Sequence, residues 1–406
     1  MNRIEIRCGW REKQEKIGDI YIENARGKEV ISFSFGALWL KEYPDFFLDP
    51  DIYNMPGRQY PPSDKTCFGF LQDIAPDRWG RKLMDRREVI DAKKEARPIR
   101  KLLESDYILG VHDKGRTGGI RLWNQGYLSD RNILAAPPMT ELRKLEHASI
   151  KLESSDDKTE EKWFRDLIEP GSSLGGARPK ANVTDERGNI WIAKFPSKND
   201  DTDIGAWEMV TWELGKLCDI DVPEAKLMKF SENGSTFLTK RFDRNGEKRI
   251  HFASALTMLG ETDGSDSLSG YLDIAGAIER IGSNPDSDLK ELWKRIVFNM
   301  CVTNADDHLR NHGFLLEENG WKLSPAFDVN PAYDQNTLSL LVGDDNSISI
   351  ENALRVSEYF RLSETEAVNI VEKFKKTVSE NWRKLAEKYK IPIKEQDLMR
   401  SAFENV

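Results

Sequence analysis

The 406-residue sequence predicts an α+β fold, with strands concentrated before residue 240 and helices beyond it. Three observations carry this. Residues 2–40 alternate apolar and polar side chains with the period of two that marks half-buried strands. Strand-length apolar runs return at 190–194, 225–230 and 236–239. Past residue 250 the apolar spacing turns helical over 252–259, 270–281, 287–303 and 363–390.

Composition narrows the class. Hydrophobic residues make up 39% and charged residues 32%, a balance that suits a folded, water-soluble chain and not a disordered one. The length suits two or three domains with cores of their own. A net charge of −9 argues against autonomous nucleic-acid binding. Cys8, Cys67, Cys218 and Cys301 are scattered, with neither zinc nor disulfide spacing, which points to a reducing, cytoplasmic setting. The N-terminus lacks an apolar signal core, and no run approaches the ~20 apolar residues that span a bilayer, so no membrane association is expected.

Taken in order, residues 2–40 read as a β-meander. Ile4, Ile6 and Cys8 alternate, then Ile20–Ile22 and Val30–Phe35 follow, with turns expected around Gly18 and Gly27. In 67–88, Asp77 suits the N-cap of a helix whose Trp79, Leu83 and Met84 share a face. Arg78, Arg81, Lys82, Arg86 and Arg87 make that helix basic, as a solvated face or as a partner or phosphate contact. Residues 106–122 supply a Gly-rich turn and a short strand. The charged stretch 151–167 reads as a surface helix or linker. Asp185–Asn189 is a hairpin turn leading into a strand with Ile190, Ile192 and Lys194 on one face. An inward lysine needs an anionic partner, because lysine is seldom buried unpaired. Glu208, near the start of the helical run 207–215, is one candidate, and Glu213 is another. Residues 240–244 then form a connector. In the last helix, Val368, Val371, Phe374, Val378, Trp382 and Leu385 mark the apolar face.

The chemistry concentrates in Cys301–Pro331. Asp306 and Asn311 stand five residues apart in a loop, followed by two short apolar runs around a Glu-Glu-Asn-Gly turn and then by Asp328. Loop, strand, turn, strand and acid should return Asp328 to the side of Asp306 and Asn311. Two carboxylates and a carboxamide converging on one point suit Mg²⁺-nucleotide chemistry, since Mg²⁺ takes hard oxygen ligands. In protein kinases an Asp orients the substrate hydroxyl, a following Asn binds metal, and a later Asp holds metal too. Upstream, Ser172, Ser173, Gly175 and Gly176 form a small polar segment whose backbone N–H groups suit phosphate contact. His308 and His312 have a zinc-like spacing, but no third ligand is fixed by the sequence.

In order, SSLGGARPKA, WIAKFP, WEMVTWELG, KRFDR, NADDHLRNHGF and LSPAFDVNP resemble the HipA family of bacterial serine/threonine protein kinases, the toxins of HipBA-type toxin–antitoxin modules. FGALWL and FGFLQDIAPDRWGR are similar to the family's N-terminal domain. The resemblance covers nearly the whole chain. It implies a bilobal protein-kinase-like fold with a β-rich N-terminal domain (1–125), a kinase N-lobe (126–244) and a mostly helical C-lobe (245–406). It implies ATP and Mg²⁺ as cofactors. Lys194, paired with Glu208, would meet the ATP phosphates, as would the loop of Ser173, Gly175 and Gly176. Lys240 and Phe242 would lie at the adenine-binding hinge. Asp306 would be catalytic, and Asn311 and Asp328 would hold Mg²⁺. Ser173, or the adjacent Ser172, falls where family members autophosphorylate.

The sequence departs from the family in two places. Arg310 stands where a Lys is common, and Lys240 stands where the hinge often has an acid. His308 falls where the family keeps a structural His. Family members with known targets modify aminoacyl-tRNA synthetases or related translation proteins. The implied partners are therefore such a protein substrate and a small helix-turn-helix antitoxin of HipB type, with DNA met through the antitoxin. A small-molecule phosphotransferase and a catalytically silent binding module are the two other classes open to this sequence.

Overall fold

The computed structural model describes residues 2–25, 27–125, 127–128, 136–154, 178–264 and 269–404. The segment containing Ser172, Ser173, Gly175 and Gly176 lies outside the described residues, as does most of 151–167. The chain divides into two compact units, Met1–Ala193 with Asp243–Asp263 and Lys194–Phe242 with Gly264–Val406.

The first unit is built on the meander. Strands β1 (Asn2–Cys8), β2 (Lys16–Ala25) and β3 (Lys28–Phe35) pair antiparallel. β4 (Ile120–Asn124) joins the free side of β1, and the short β5 (Tyr127–Leu128) completes the order β3-β2-β1-β4-β5. Ile4, Ile6, Cys8, Ile20, Ile31 and Phe33 face inward and bury, as the alternation requires. Gly27 turns the β2–β3 hairpin at φ +78. Gly18 does not turn the chain. It sits inside β2, paired with both Ile6 and Phe35, beside the register shift at Ile6/Arg7. A Cβ there would lie 2.2 Å from the Ser34 carbonyl oxygen and 2.8 Å from the Phe33 ring, so glycine permits the close strand approach.

Helices α1 (Ala37–Glu42), α2 (Gly69–Ile74), α3 (Arg78–Lys94), α4 (Glu104–Gly110) and α5 (Leu142–Ser154) complete the unit's main elements. Asp77 caps α3, accepting from the Gly80 N–H at 2.7 Å. The basic face of α3 is largely answered internally. Arg81 forms a two-pronged bond to Glu104, Arg86 donates to the Leu152 carbonyl, and Arg87 reaches Asp91. Residues 104–110 are helical, and the Gly-rich turn and short strand expected within 106–122 follow at 113–119 and in β4. The hairpin of β6 (Lys180–Thr184) and β7 (Ile190–Lys194) turns at Asp185–Asn189, with Asp185 accepting from both Arg187 and Asn189 N–H groups. Residues 252–254 form a strand before the helical turn 255–258, so the expected helix there is shorter than its apolar run.

In the second unit, α6 (Ile204–Leu217) packs on the hairpin of β8 (Ala225–Ser231) and β9 (Gly234–Lys240). Gly205 makes the approach close, since a Cβ there would stand 2.1 Å from the Ser235 carbonyl oxygen. Asp203 caps α6 and also accepts from Ser235 N and Oγ, tying helix to strand. Helices α7 (Tyr271–Ile281) and α8 (Pro285–Cys301) lead into the loop of Asp306. The hairpin β10 (Gly313–Glu317) and β11 (Gly320–Leu323) follows, in the register Phe314↔Leu323 to Glu317↔Gly320. Elements not anticipated from the sequence come next: the hairpin β12 (Thr337–Val342) and β13 (Asp345–Ser347), and the short helix α9 (Ile350–Arg355). Helix α10 (Glu364–Lys388) buries Val371, Phe374, Val378 and Trp382. Val368 is 40% exposed, because Ala367 takes the inward position in that turn. Helix α11 (Ile393–Glu404) closes the unit.

Gly18→Ala should destabilise the first unit by about 1–3 kcal/mol through overpacking against fixed backbone. Urea denaturation checks this; an unchanged midpoint would mean that the strands can separate to admit the methyl.

Candidate active site

The site residues described here all belong to the second unit. Lys194 ends β7 and is 9% exposed. Its ammonium donates to Glu208 Oε1 at 2.5 Å and to Asp328 Oδ1 at 2.6 Å. This answers the need for an anionic partner and decides between the two glutamates. Glu208 faces Lys194 from the second turn of α6, whereas Glu213 accepts from Lys388 and from the Tyr389 hydroxyl. Burial alone would lower the Lys194 pKa. The carboxylates of Asp328 and Glu208 outweigh that and push it up to about 12, so the ammonium stays charged.

Asp328 sits at φ +59, a left-handed conformation that Asp tolerates better than most residues. It is held by its surroundings. The Thr211 hydroxyl, one turn beyond Glu208, donates to the Val329 carbonyl at 2.6 Å. Asn330 Nδ2 donates to Asp328 Oδ1 at 3.2 Å, and Asn330 N–H donates to Asn304 Oδ1 at 3.2 Å. The Asp328 segment is thus tied on one side to the helix of Glu208 and on the other to the loop of Asp306.

That loop leaves α8 through a left-handed turn at Thr303, φ +50. The Thr303 N–H bonds the Met300 carbonyl and the Asn304 N–H bonds the Asn299 carbonyl, the paired bonds of a Schellman cap. Asp306 is exposed, with its side chain on the solvent side of the loop. Asn311 is buried and donates its Nδ2 to the Asp306 carbonyl at 3.0 Å. Its Oδ1 then remains as the acceptor end of the amide. Asn311 lines a small cavity together with Phe327 and Val329, which flank Asp328. A carboxylate and a carboxamide oxygen from adjoining segments are the hard ligands Mg²⁺ prefers, so Asp328 and Asn311 suit the ion chemically.

The two residues expected at the hinge part company. The Phe242 and Phe327 rings lie 5.5 Å apart, which places Phe242 against the residue preceding Asp328. Lys240 is directed to Glu224, with its Nζ at 3.5 Å, and its backbone N–H bonds the Glu224 carbonyl. Ser172, Ser173, Gly175 and Gly176 lie outside the described residues. His308 and His312 do not present a shared ligand set: His312 Nε2 is engaged with Asp307 at 2.9 Å. The asparagines 299, 304 and 330, and Asp307, were not singled out from the sequence. The signal for Asp307 was there: the doublets Asp306-Asp307 and Asn311-His312 repeat at one spacing of five.

Fold and site together define an α+β protein of the HipA structural type. The structure of HipA from Shewanella oneidensis, solved with HipB and operator DNA, superposes with a TM-score of 0.66 at 16% identity, covering 98% of this chain and 94% of that one. The family model for the HipA-like C-terminal domain matches residues 172–382, more than half of the chain, and the chain belongs to that family. Among curated relatives, the putative kinase Y4dM of Sinorhizobium fredii is 25% identical over 198 residues, 46% of this chain and 46% of that protein. The putative kinase Y4mE of the same organism is 28% identical over 186 residues, 43% of this chain and 40% of that protein. The chain therefore spans less than half the length of these curated relatives. Among the described residues, no helix is long and apolar enough to cross a membrane.

Replacing Lys194 by Met leaves the buried Glu208 carboxylate and the half-buried Asp328 carboxylate without their shared cation. Unfolding free energy should fall by about 3–5 kcal/mol, the usual result of removing one partner of a buried charge group. Because the folded lysine pKa is raised from 10.5 to about 12, the wild-type ion-pair contribution is complete below pH 10.5 and is lost as pH rises through 12. The gap between wild type and variant should therefore narrow above pH 10.5 in denaturation series; a gap that stays constant across that range would contradict the charge assignment.

Proposed function

We propose that this protein is an ATP- and Mg²⁺-dependent serine/threonine protein kinase, acting as a HipA-like toxin on a translation-related protein. The observation that carries the reading is the buried Lys194 ammonium bonded to both Glu208 and Asp328. Lysine, helix glutamate and metal-binding aspartate are the set that kinases use to place ATP phosphates. Membership of the HipA-like C-terminal domain family supports it further.

In this reading Lys194, fixed by Glu208, binds ATP phosphate oxygens. Asp306, exposed at the loop tip, orients the acceptor hydroxyl and takes its proton as the Oγ–P bond forms and the bond to the ADP oxygen breaks. Asn311 and Asp328 hold Mg²⁺, which when bound supplies charge neutralisation on the phosphates. Phe242 packs beside the Phe327–Asp328 segment, and the backbone of 240–242 meets the adenine edge. Catalysis is then mainly positioning and electrostatic stabilisation, as phosphoryl transfer requires. The loop of Ser173, Gly175 and Gly176 contributes backbone N–H groups, and Ser173 or Ser172 is the autophosphorylation site. A phosphate there adds about −1.5 to −2 charge at pH 7 and competes with ATP for Lys194. The partner is a small helix-turn-helix antitoxin, and DNA is met through it; the Shewanella toxin–antitoxin complex of HipA, HipB and operator DNA supports this.

The test is ATP turnover with protein acceptors against small-molecule acceptors, with mass spectrometry locating any phosphate on 171–180. Protein-acceptor labelling is expected; transfer to small molecules alone would assign the chain to another phosphotransferase class. Asp306→Ala should cut turnover about 10²- to 10⁴-fold, the range for a lost general base, while leaving nucleotide binding nearly intact. Asp328→Ala should weaken Mg²⁺-ATP binding itself, read by isothermal titration with a non-hydrolysable analogue. The reverse pattern would exchange the two roles.

Expression of the wild type alone should arrest bacterial growth, and Asp306→Ala should not. Equal arrest by both would exclude poisoning by phosphoryl transfer, and co-expression of a neighbouring helix-turn-helix protein should restore growth.

A further inference from the structure

The loop that carries Asp306 and Asn311 has a second pair at the same spacing, one residue further along: Asp307 and His312. Asp306 is exposed, while Asp307, Asn311 and His312 are 3%, 5% and 2% exposed and line one small cavity together. Across the base of the loop, His312 Nε2 lies 2.9 Å from Asp307 Oδ2. The same oxygen accepts from Asn299 Nδ2 at 2.7 Å and from the Tyr271 hydroxyl. The Tyr271 ring stands edge-on to the His312 ring, centroids 5.6 Å apart. A buried carboxylate thus gathers donors from α7, from α8 and from the far end of its own loop.

The network continues into the proposed site. Asn299 Oδ1 accepts from Asn304 Nδ2 at 3.1 Å, Asn304 Oδ1 accepts from Asn330 N–H, and Asn330 Nδ2 donates to Asp328 Oδ1. Asp328 in turn meets Lys194. Every link is a hydrogen bond between buried or half-buried groups, where an unmade bond costs most.

We propose that Asp307 and His312 are positioning residues: their bond closes the loop at its base and so holds Asp306 and Asn311, the residues directly before them, at a fixed separation. This rests on the kinase reading for its consequence, but not for its geometry. Asp306 and Asn311 directly precede Asp307 and His312 in the chain, with a 3-10 turn at Leu309–Asn311 between them, so tying 307 to 312 constrains 306 against 311. The Asn311 bond to the Asp306 carbonyl closes the same loop one residue earlier at each end. Neither Asp307 nor His312 is assigned contact with ATP or the acceptor.

The test compares His312→Phe, which keeps a planar ring but has no N–H, with His312→Gln, which restores a donor near the Nε2 position. Two measurements are made on the full chain: steady-state phosphoryl transfer, and backbone amide exchange of the ligand-free protein. His312→Phe should lower kcat by about 10- to 100-fold, as small misplacements of catalytic groups do, with a smaller effect on KM for ATP. Amides of 304–312 should lose protection, while those of the helix Glu364–Lys388 keep theirs. His312→Gln should recover most of both. The proposal is overturned if His312→Phe keeps the wild-type kcat in an active enzyme, if loop protection is unchanged, or if both variants lose protection throughout the chain. Should the wild type transfer no phosphate at all, the kinase reading falls, and the exchange measurement still decides whether the pair holds the loop. If His312→Phe does not fold, Tyr271→Phe removes one hydroxyl from the same carboxylate. A selective loss of loop protection then supports the proposal, and an unchanged loop refutes it.

Discussion

The Lys194 ammonium is the interaction on which the rest of the second unit depends. A buried cation is tolerable only where anions meet it at hydrogen-bonding distance. Here the anions come from two separate segments, Glu208 on α6 and Asp328 after the hairpin β10–β11. Each must be delivered accurately, and the surrounding structure is arranged to do so. Gly205 lets α6 approach β9 closely, Asp203 fixes the helix start, and Thr211 holds the backbone beside Asp328. A set of contacts dispersed over more than 130 residues of sequence is explained by the need to compensate one charge.

The loop of Asp306 is constrained by the backbone as much as by side chains. Helix α8 ends in a Schellman cap whose left-handed residue is Thr303, where glycine is usual. A β-branched residue in this conformation carries strain, and such strain persists only where neighbouring contacts over-determine it. Three are present. The Thr303 carbonyl accepts from Ala332 N–H, its hydroxyl donates to the Ala402 carbonyl, and Asn304 is held at both ends of its side chain. The turn therefore aims the loop at the Asp328 segment.

The C-terminal helix α11 backs the site from the core side. Glu395 accepts from the Asp203 N–H at the start of α6, Phe403 stacks on both Trp207 and Trp382, and Ala402 receives the Thr303 hydroxyl. One helix thus touches the element bearing Glu208 and the loop leading to Asp306. Such shared backing ties the two segments to one support, which suits chemistry that relies on preorganised groups.

Local pattern was enough for much of this. The period-two alternation of 2–35, the Asp77 and Asp185 turn and cap chemistry, the hairpin after Asn311 and the helix after Ser363 are short-range features, decided by side-chain periodicity and backbone preference within a few residues. The order of Lys194, Glu208, Asp306, Asn311 and Asp328 was legible for the same reason, since each stands in a recognisable local setting. What only the tertiary structure decided is which groups meet. Glu208 and Glu213 are alike in sequence, and only the rotation of α6 against β9 turns the first toward Lys194 and the second toward Lys388 and Tyr389. Gly18 read as a turn because its demand for space comes from β3, sixteen residues away. Val368 read as core because helical spacing alone cannot distinguish it from Ala367 at the edge of an apolar face. The asparagine chain from Asn299 to Asn330 joins three segments through long-range hydrogen bonds, and such partners are fixed only once the chain has folded around them.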